Sequence, residues 1–99
     1  MIYIFDIDGT LCTNENDDYS FATPLNKRID IVNKLYDDGH TIKIFTARGS
    51  ATGIDWKELT KKQLVEWKVK HHELIFGKPH ADVFIDDKAK DLFSWFKEN

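Results

Sequence analysis

Two apolar, β-branched runs, Ile2 to Ile7 and Thr41 to Thr46, each followed by a loop and a segment of helical periodicity, predict an α/β fold. The expected architecture is a Rossmann-like three-layer α/β/α sandwich with a mainly parallel sheet of about four strands, because strands that alternate with helices pair in parallel through right-handed crossovers. With 99 residues the chain holds one core, so 1–99 is expected to be a single domain.

The first strand, IYIFDI, is closed by the turn at Gly9-Thr10. A polar, turn-rich stretch from Cys12 to Thr23 follows. Thr23-Pro24 then reads as a helix N-cap with proline at the first position, and Leu25, Ile29, Val32 and Tyr36 recur on one side until Gly39 ends the helix. After TIKIFT, a Gly-containing loop, 47–54, leads into a helix from about Asp55, its expected cap, to Val69, with Trp56, Leu59, Leu64 and Trp67 as its apolar side. Two further runs, Glu73 to Phe76 and Asp82 to Ile85, flank Gly77-Lys78-Pro79-His80-Ala81, and a last helix is expected over 88–97. If both runs are parallel strands on opposite sides of the first, the chain from Lys78 to Asp86 must return along the sheet and cross under it, within at most about 27 Å. That is barely enough, so Glu73 to Phe76 is expected to be stunted or outside the regular sheet.

Composition narrows the function classes. Apolar residues at 41% and charged residues at 31% belong to a soluble globular chain. No apolar stretch approaches the roughly 20 residues of a membrane span, and nothing at the N-terminus resembles a signal, so a cytoplasmic location without a membrane partner is expected. A net charge of −3 gives no reason to expect nucleic-acid binding, and the lysines at 57, 61, 62, 68 and 70 read as a solvated helix face. Cys12 is the single cysteine, which excludes an internal disulfide and a cysteine zinc cluster, so any metal must be held by oxygen.

In a parallel sheet, ligands sit beyond the carboxyl ends of the strands. That rule selects Asp6 and Asp8, Thr46, and Asp86 and Asp87. So many acids in a small volume call for a cation, and oxygen ligands in an open site favour Mg²⁺, which binds through one or two carboxylates, water and a substrate phosphate. A phosphate ester is the substrate this chemistry suits. Its charge is met by the Thr46 hydroxyl, neighbouring N–H groups and the Lys78 ammonium. A carboxylate can attack phosphorus to give an aspartyl phosphate, and a second can move the proton. Arg48 is expected either to bind substrate or to pair with a surface carboxylate. A calcium loop is excluded by register, since Gly9 at the sixth position puts Ile4 at the first ligand position. His40, His71, His72 and His80 lack ligand spacing with carboxylates and are expected at the surface, and Trp56, Trp67 and Trp95 in packing.

These residues resemble the haloacid-dehalogenase-like superfamily of aspartate-dependent phosphotransferases. The stretch 5–11, FDIDGTL, is similar to its first motif, 44–48, IFTAR, to the second, 77–79, GKP, to the third, and 84–87, FIDD, to the fourth. The resemblance implies Asp6 as nucleophile and Asp8 as acid/base with its carbonyl on magnesium. It also implies Thr46, Ala47, Arg48 and Lys78 on the phosphate side, and Asp86 and Asp87 with Asp6 and Asp8 on the metal side. The short segments 12–23 and 49–54 leave no room for a cap domain. The chain therefore resembles a cap-less phosphatase, closest in "FTARG" and "GKPHADVFIDDKA" to small bacterial phosphatases associated with capsule or surface polysaccharide biosynthesis. A homo-oligomer in which a neighbouring subunit supplies a lid is compatible with such an open site. The rival readings are a phosphoacceptor signalling domain, whose motifs run in a different order along the chain, and a phosphatase-like binding domain of low activity. The substrate is expected to be a small sugar phosphate or related metabolite, with a nucleotide or a 3′-phosphorylated nucleic-acid end as the alternative.

Overall fold

The computed structural model describes residues 1–14 and 18–99, so part of the turn-rich stretch 12–23, residues 15–17, lies outside the described residues. The described elements are β1 (Ile2–Phe5), a 3₁₀ turn (Tyr19–Phe21), α1 (Asn26–Asp37), β2 (Thr41–Thr46), α2 (Lys57–Glu66), β3 (Glu73–Phe76) and α3 (Leu92–Glu98). The α/β class is as expected: the strands lie in the order β1-β2-β3, and both pairs are parallel.

Burial alternates along β2, where Ile42, Ile44 and Thr46 point inward, as the period of two requires. Their neighbours across the ladder, Tyr3 and Phe5, share that face. All three described helices pack on it, so there are two layers in place of the three expected: Ile29 and Val32 of α1 and Leu64 of α2 join the same core, and Trp95 of α3 lies 6.0 Å from the Tyr3 ring and 5.5 Å from the Phe5 ring. The opposite face of β1 stays in water, with Ile2 65% and Ile4 59% exposed.

Several expectations change. The cap of α2 is Trp56, not Asp55, and the last helix starts at Leu92, not at 88. The cap of α1 is Leu25, not Thr23. Thr23 is held instead by Thr13, whose N–H donates to the Thr23 carbonyl at 2.8 Å and whose hydroxyl accepts from the Thr23 N–H at 2.9 Å, so the chain is still extended there. Glu73 to Phe76 is a regular strand, paired from Lys43↔Glu73 to Thr46↔Phe76. The run that leaves the sheet is Asp82 to Ile85, so among the described residues the sheet has three strands where about four were expected. The limit on reach was sound, and it acts on the second run rather than the first: once β3 occupies the far side of β2, too little chain remains to return to β1.

Candidate active site

The carboxyl ends of β1 and β2 open into a cleft of about 390 Å³ whose lining includes Asp6, Asp8, Ala47, Arg48, Lys78 and His80. The turn after β1 sets the two aspartates. The N–H groups of Thr10, Leu11 and Cys12 all donate to the Ile7 carbonyl, at 3.0, 2.8 and 3.3 Å, and Gly9 takes φ 81°, a left-handed angle that side chains disfavour. Arg28 of α1 clamps the turn from outside, donating to the carbonyls of Gly9 and Thr10 at 3.1 and 3.2 Å while its guanidinium rests on Phe93 and Phe96.

Asp8 is held by Arg48. Nε donates to Oδ2 at 3.0 Å and Nη2 to Oδ1 at 2.9 Å, a bidentate pair in which the arginine side chain is fully buried. Nη1 donates to Thr60 Oγ1 at 3.0 Å and to Gln63 Oε1 at 2.6 Å. Gln63 Nε2 in turn donates to the Tyr19 carbonyl at 2.7 Å, and the Tyr19 ring lies 4.6 Å from the guanidinium carbon. The guanidinium therefore points inward, toward Asp8 and α2, rather than out to a surface carboxylate. Thr60 and Gln63 are partners of Arg48 that sequence reasoning did not single out. Their signal was present: both are polar residues inside the apolar stripe of α2, between Trp56, Leu64 and Trp67. The loop that presents Arg48 turns at Gly49, φ 82°, where a Cβ would collide with the Ile54 carbonyl oxygen.

Asp6 is less fully compensated. Lys78 Nζ stands 3.6 Å from Oδ1, and the Thr10 hydroxyl 3.5 Å from Oδ2. Burial nevertheless dominates and raises the Asp6 pKa above its ordinary 3.8, with Lys78 opposing. Lys78 is fixed at its backbone, donating its N–H to the Thr46 carbonyl at 3.1 Å and accepting from the Ser50 hydroxyl at 2.7 Å, while its ammonium lies 4.8 Å from the Phe84 ring. Burial, reinforced by the Asp8 carboxylate, pushes the neighbouring Cys12 thiol up to about 12.

Asp6, Asp8, Ala47, Arg48 and Lys78 are thus brought together. Thr46 lies directly behind them, fully buried, with its hydroxyl accepting the Arg48 N–H at 3.1 Å. Asp86 and Asp87 are not brought in: both are exposed, and Asp86 accepts from the Lys88 N–H, which lowers its pKa. Among the described residues no group of three or more His, Cys, Asp or Glu is placed to hold a metal. No helix among them is long and apolar enough to cross a membrane.

No protein-family model matches the chain, and no curated protein does. Solved structures do share its fold. A Vibrio cholerae protein solved as an MCSG target is 27% identical, with a TM-score of 0.89 over 99% of this chain and 89% of that one. A chain of the Pnkp1/Rnl/Hen1 complex superposes with a TM-score of 0.63 at 18% identity, over 98% of this chain and 33% of the other. The D,D-heptose 1,7-bisphosphate phosphatase of B. bronchiseptica, crystallised with magnesium and phosphate, gives 0.58 at 18% identity, over 89% of this chain and 53% of that one. With these two the likeness is one of fold alone.

Two outcomes follow from the geometry. Replacing Arg48 by Ala leaves Asp8 mostly buried without its counter-charge and is expected to cost about 3 kcal/mol in urea denaturation; a loss within about 0.5 kcal/mol would show the fork to be incidental. Asp6→Asn is expected to raise the melting temperature at pH 7. Because burial raises the Asp6 pKa, its ionised form is a cost that is absent below pH 3.8 and grows as pH rises through the folded value, so the gain must shrink toward acid pH. A gain that is constant across pH contradicts this.

Proposed function

We propose that the chain is a phosphomonoester phosphatase that works through an aspartyl phosphate on Asp6. The observation that carries this reading is the pairing in one cleft of an undercompensated acid, Asp6, with Lys78 at 3.6 Å and a second acid, Asp8, clamped two residues away. Burial sharpens a nucleophile of this kind by removing solvating water, and Lys78 is in position to donate to a phosphoryl oxygen.

In the proposed reaction Asp8 enters the step protonated, an Asp6 carboxylate oxygen attacks phosphorus as the ester P–O bond breaks, and the departing oxygen takes the Asp8 proton, leaving the carboxylate that Arg48 holds. Water then attacks the same phosphorus and gives its proton back to Asp8, the P–O bond to Asp6 breaks, and inorganic phosphate leaves. Arg48 occupies one acceptor position on each Asp8 oxygen and the Cys12 thiol, 3.5 Å from Oδ1, takes another there, so Oδ2 keeps the position for this exchange. Arg48 is then a positioning residue for Asp8, in place of the phosphate contact expected of it. Ala47 and the N–H groups of its loop remain the backbone donors on the phosphate side.

The donor set suits magnesium, since the Asp6 carboxylate with the Asp8 carbonyl supplies the one or two protein oxygens that the ion takes beside water and phosphate. Bound there, the ion supplies positive charge that offsets the phosphoryl oxygens. Among the described residues no cap covers the cleft, and a sugar phosphate or related small metabolite is the substrate class we favour. The likeness of fold to the heptose bisphosphate phosphatase, itself crystallised with magnesium and phosphate, supports both choices.

The test is turnover of aryl, sugar and nucleotide phosphates by the purified chain with magnesium. Multiple turnovers, abolished in Asp6→Asn and by chelation, are expected. Asp6→Asn with full activity overturns the reading, and a stable acyl phosphate without turnover supports the phosphoacceptor rival.

A further inference from the structure

Segment 82–87 is built like a strand and has no sheet to join within its own chain. Asp82-Val83-Phe84-Ile85 carries three consecutive β-prone residues, yet Val83 is 71% and Ile85 96% exposed. The sheet meanwhile ends at β1, whose outer edge pairs with no strand among the described residues. An open edge of this kind accepts a further strand.

The chain's own segment cannot supply it as a parallel strand. Lys78 is tied to the carboxyl end of β2 through its N–H on Thr46, and its ammonium to Asp6. Four steps from Lys78 to Asp82 reach at most about 14 Å. Parallel addition to its own β1 needs Asp82 beside the start of that strand. That point is about 10 Å away sideways, two strand spacings, and about 16 Å back along the strands, with the sheet itself in the way. An antiparallel arrangement is within reach but carries Asp86 and Asp87 toward the wrong end of the sheet. On the far side of the segment the chain is anchored again, by Asp91 capping α3 and by Trp95 packed on Tyr3 and Phe5.

We propose that segment 82–87 adds as a parallel strand to the free edge of β1 in a second copy of the chain, so that each copy's Asp86 and Asp87 complete the other's acidic cleft. With Ile85 set beside Phe5 of the second copy, Asp86 falls beside Asp6, the position at which one more carboxylate reaches the proposed magnesium. The inference rests on the phosphatase reading for the role of these acids and for the parallel direction of the strand, while the exposed segment and the open edge stand without it. Reciprocal exchange of this kind gives a closed two-fold dimer and covers both open edges at once.

Size-exclusion chromatography with light scattering on the full chain is expected to give twice the 11.6 kDa chain mass. Ile85→Lys, at a 96% exposed position, is expected to be a folded monomer with unchanged far-UV circular dichroism. A monomeric wild-type chain, or a dimer that survives Ile85→Lys, overturns the proposal. The role of the acids is read by mixing two variants, Asp6→Asn and the double variant Asp86→Asn/Asp87→Asn, each inactive alone, under subunit exchange. Random pairing restores about one quarter of the wild-type sites, and a mixture that stays inactive beside an active wild type overturns completion in trans. A wild type that dimerises through Ile85 yet hydrolyses nothing refutes the phosphatase reading and leaves the docking upheld.

Discussion

Everything around the cleft follows from placing two carboxylates two residues apart just past the end of β1, beside a buried core. Like charges in such a place destabilise each other and lose hydration. The fold answers with opposite treatments. Asp8 receives a buried guanidinium on both oxygens, and Asp6 receives only Lys78 and a long contact from Thr10. The first is an arrangement for holding a group still. The second leaves a charge whose compensation is incomplete, and that is the one we assign to the chemistry.

Satisfying Arg48 shapes much of the remaining structure. A buried guanidinium must place five N–H groups, and this one uses Asp8, Thr60 and Gln63, with the Cys12 sulfur 4.0 Å from Nη2. Two polar residues are therefore turned inward on α2, the 3₁₀ turn is drawn in through the Tyr19 carbonyl, and the loop after β2 must bend at Gly49. A cluster of this kind stabilises only while every partner is present, which is why loss of one partner costs more than the net worth of the pair.

The strands of the core were legible as apolar, β-branched runs bounded by turn residues. Which face is inward, Ile42, Ile44 and Thr46 in β2, emerges only in the fold. The two aspartates were equally legible, since a strand-end position in a parallel sheet already implies a ligand edge. What remained hidden were links between distant positions. Nothing near Arg48 says that its counter-charge is forty residues earlier, although the interruption of the α2 stripe by Thr60 and Gln63 marks a polar demand on that face. The reach between Lys78 and Asp86 was a real constraint, but local propensity could not say which run would yield. Val83 to Ile85 has the stronger strand character and still loses, because β3 can follow β2 through α2 while no helix connects β3 to β1.

The central claim is that Asp6 carries the phosphoryl group. Its most direct measurement is acid quenching of the chain during turnover of a phosphomonoester with magnesium, followed by mass spectrometry of its peptides. The account predicts a phosphoryl adduct on Asp6, absent when that residue is Asn. An adduct on any other residue of the cleft, His80 above all, would contradict it.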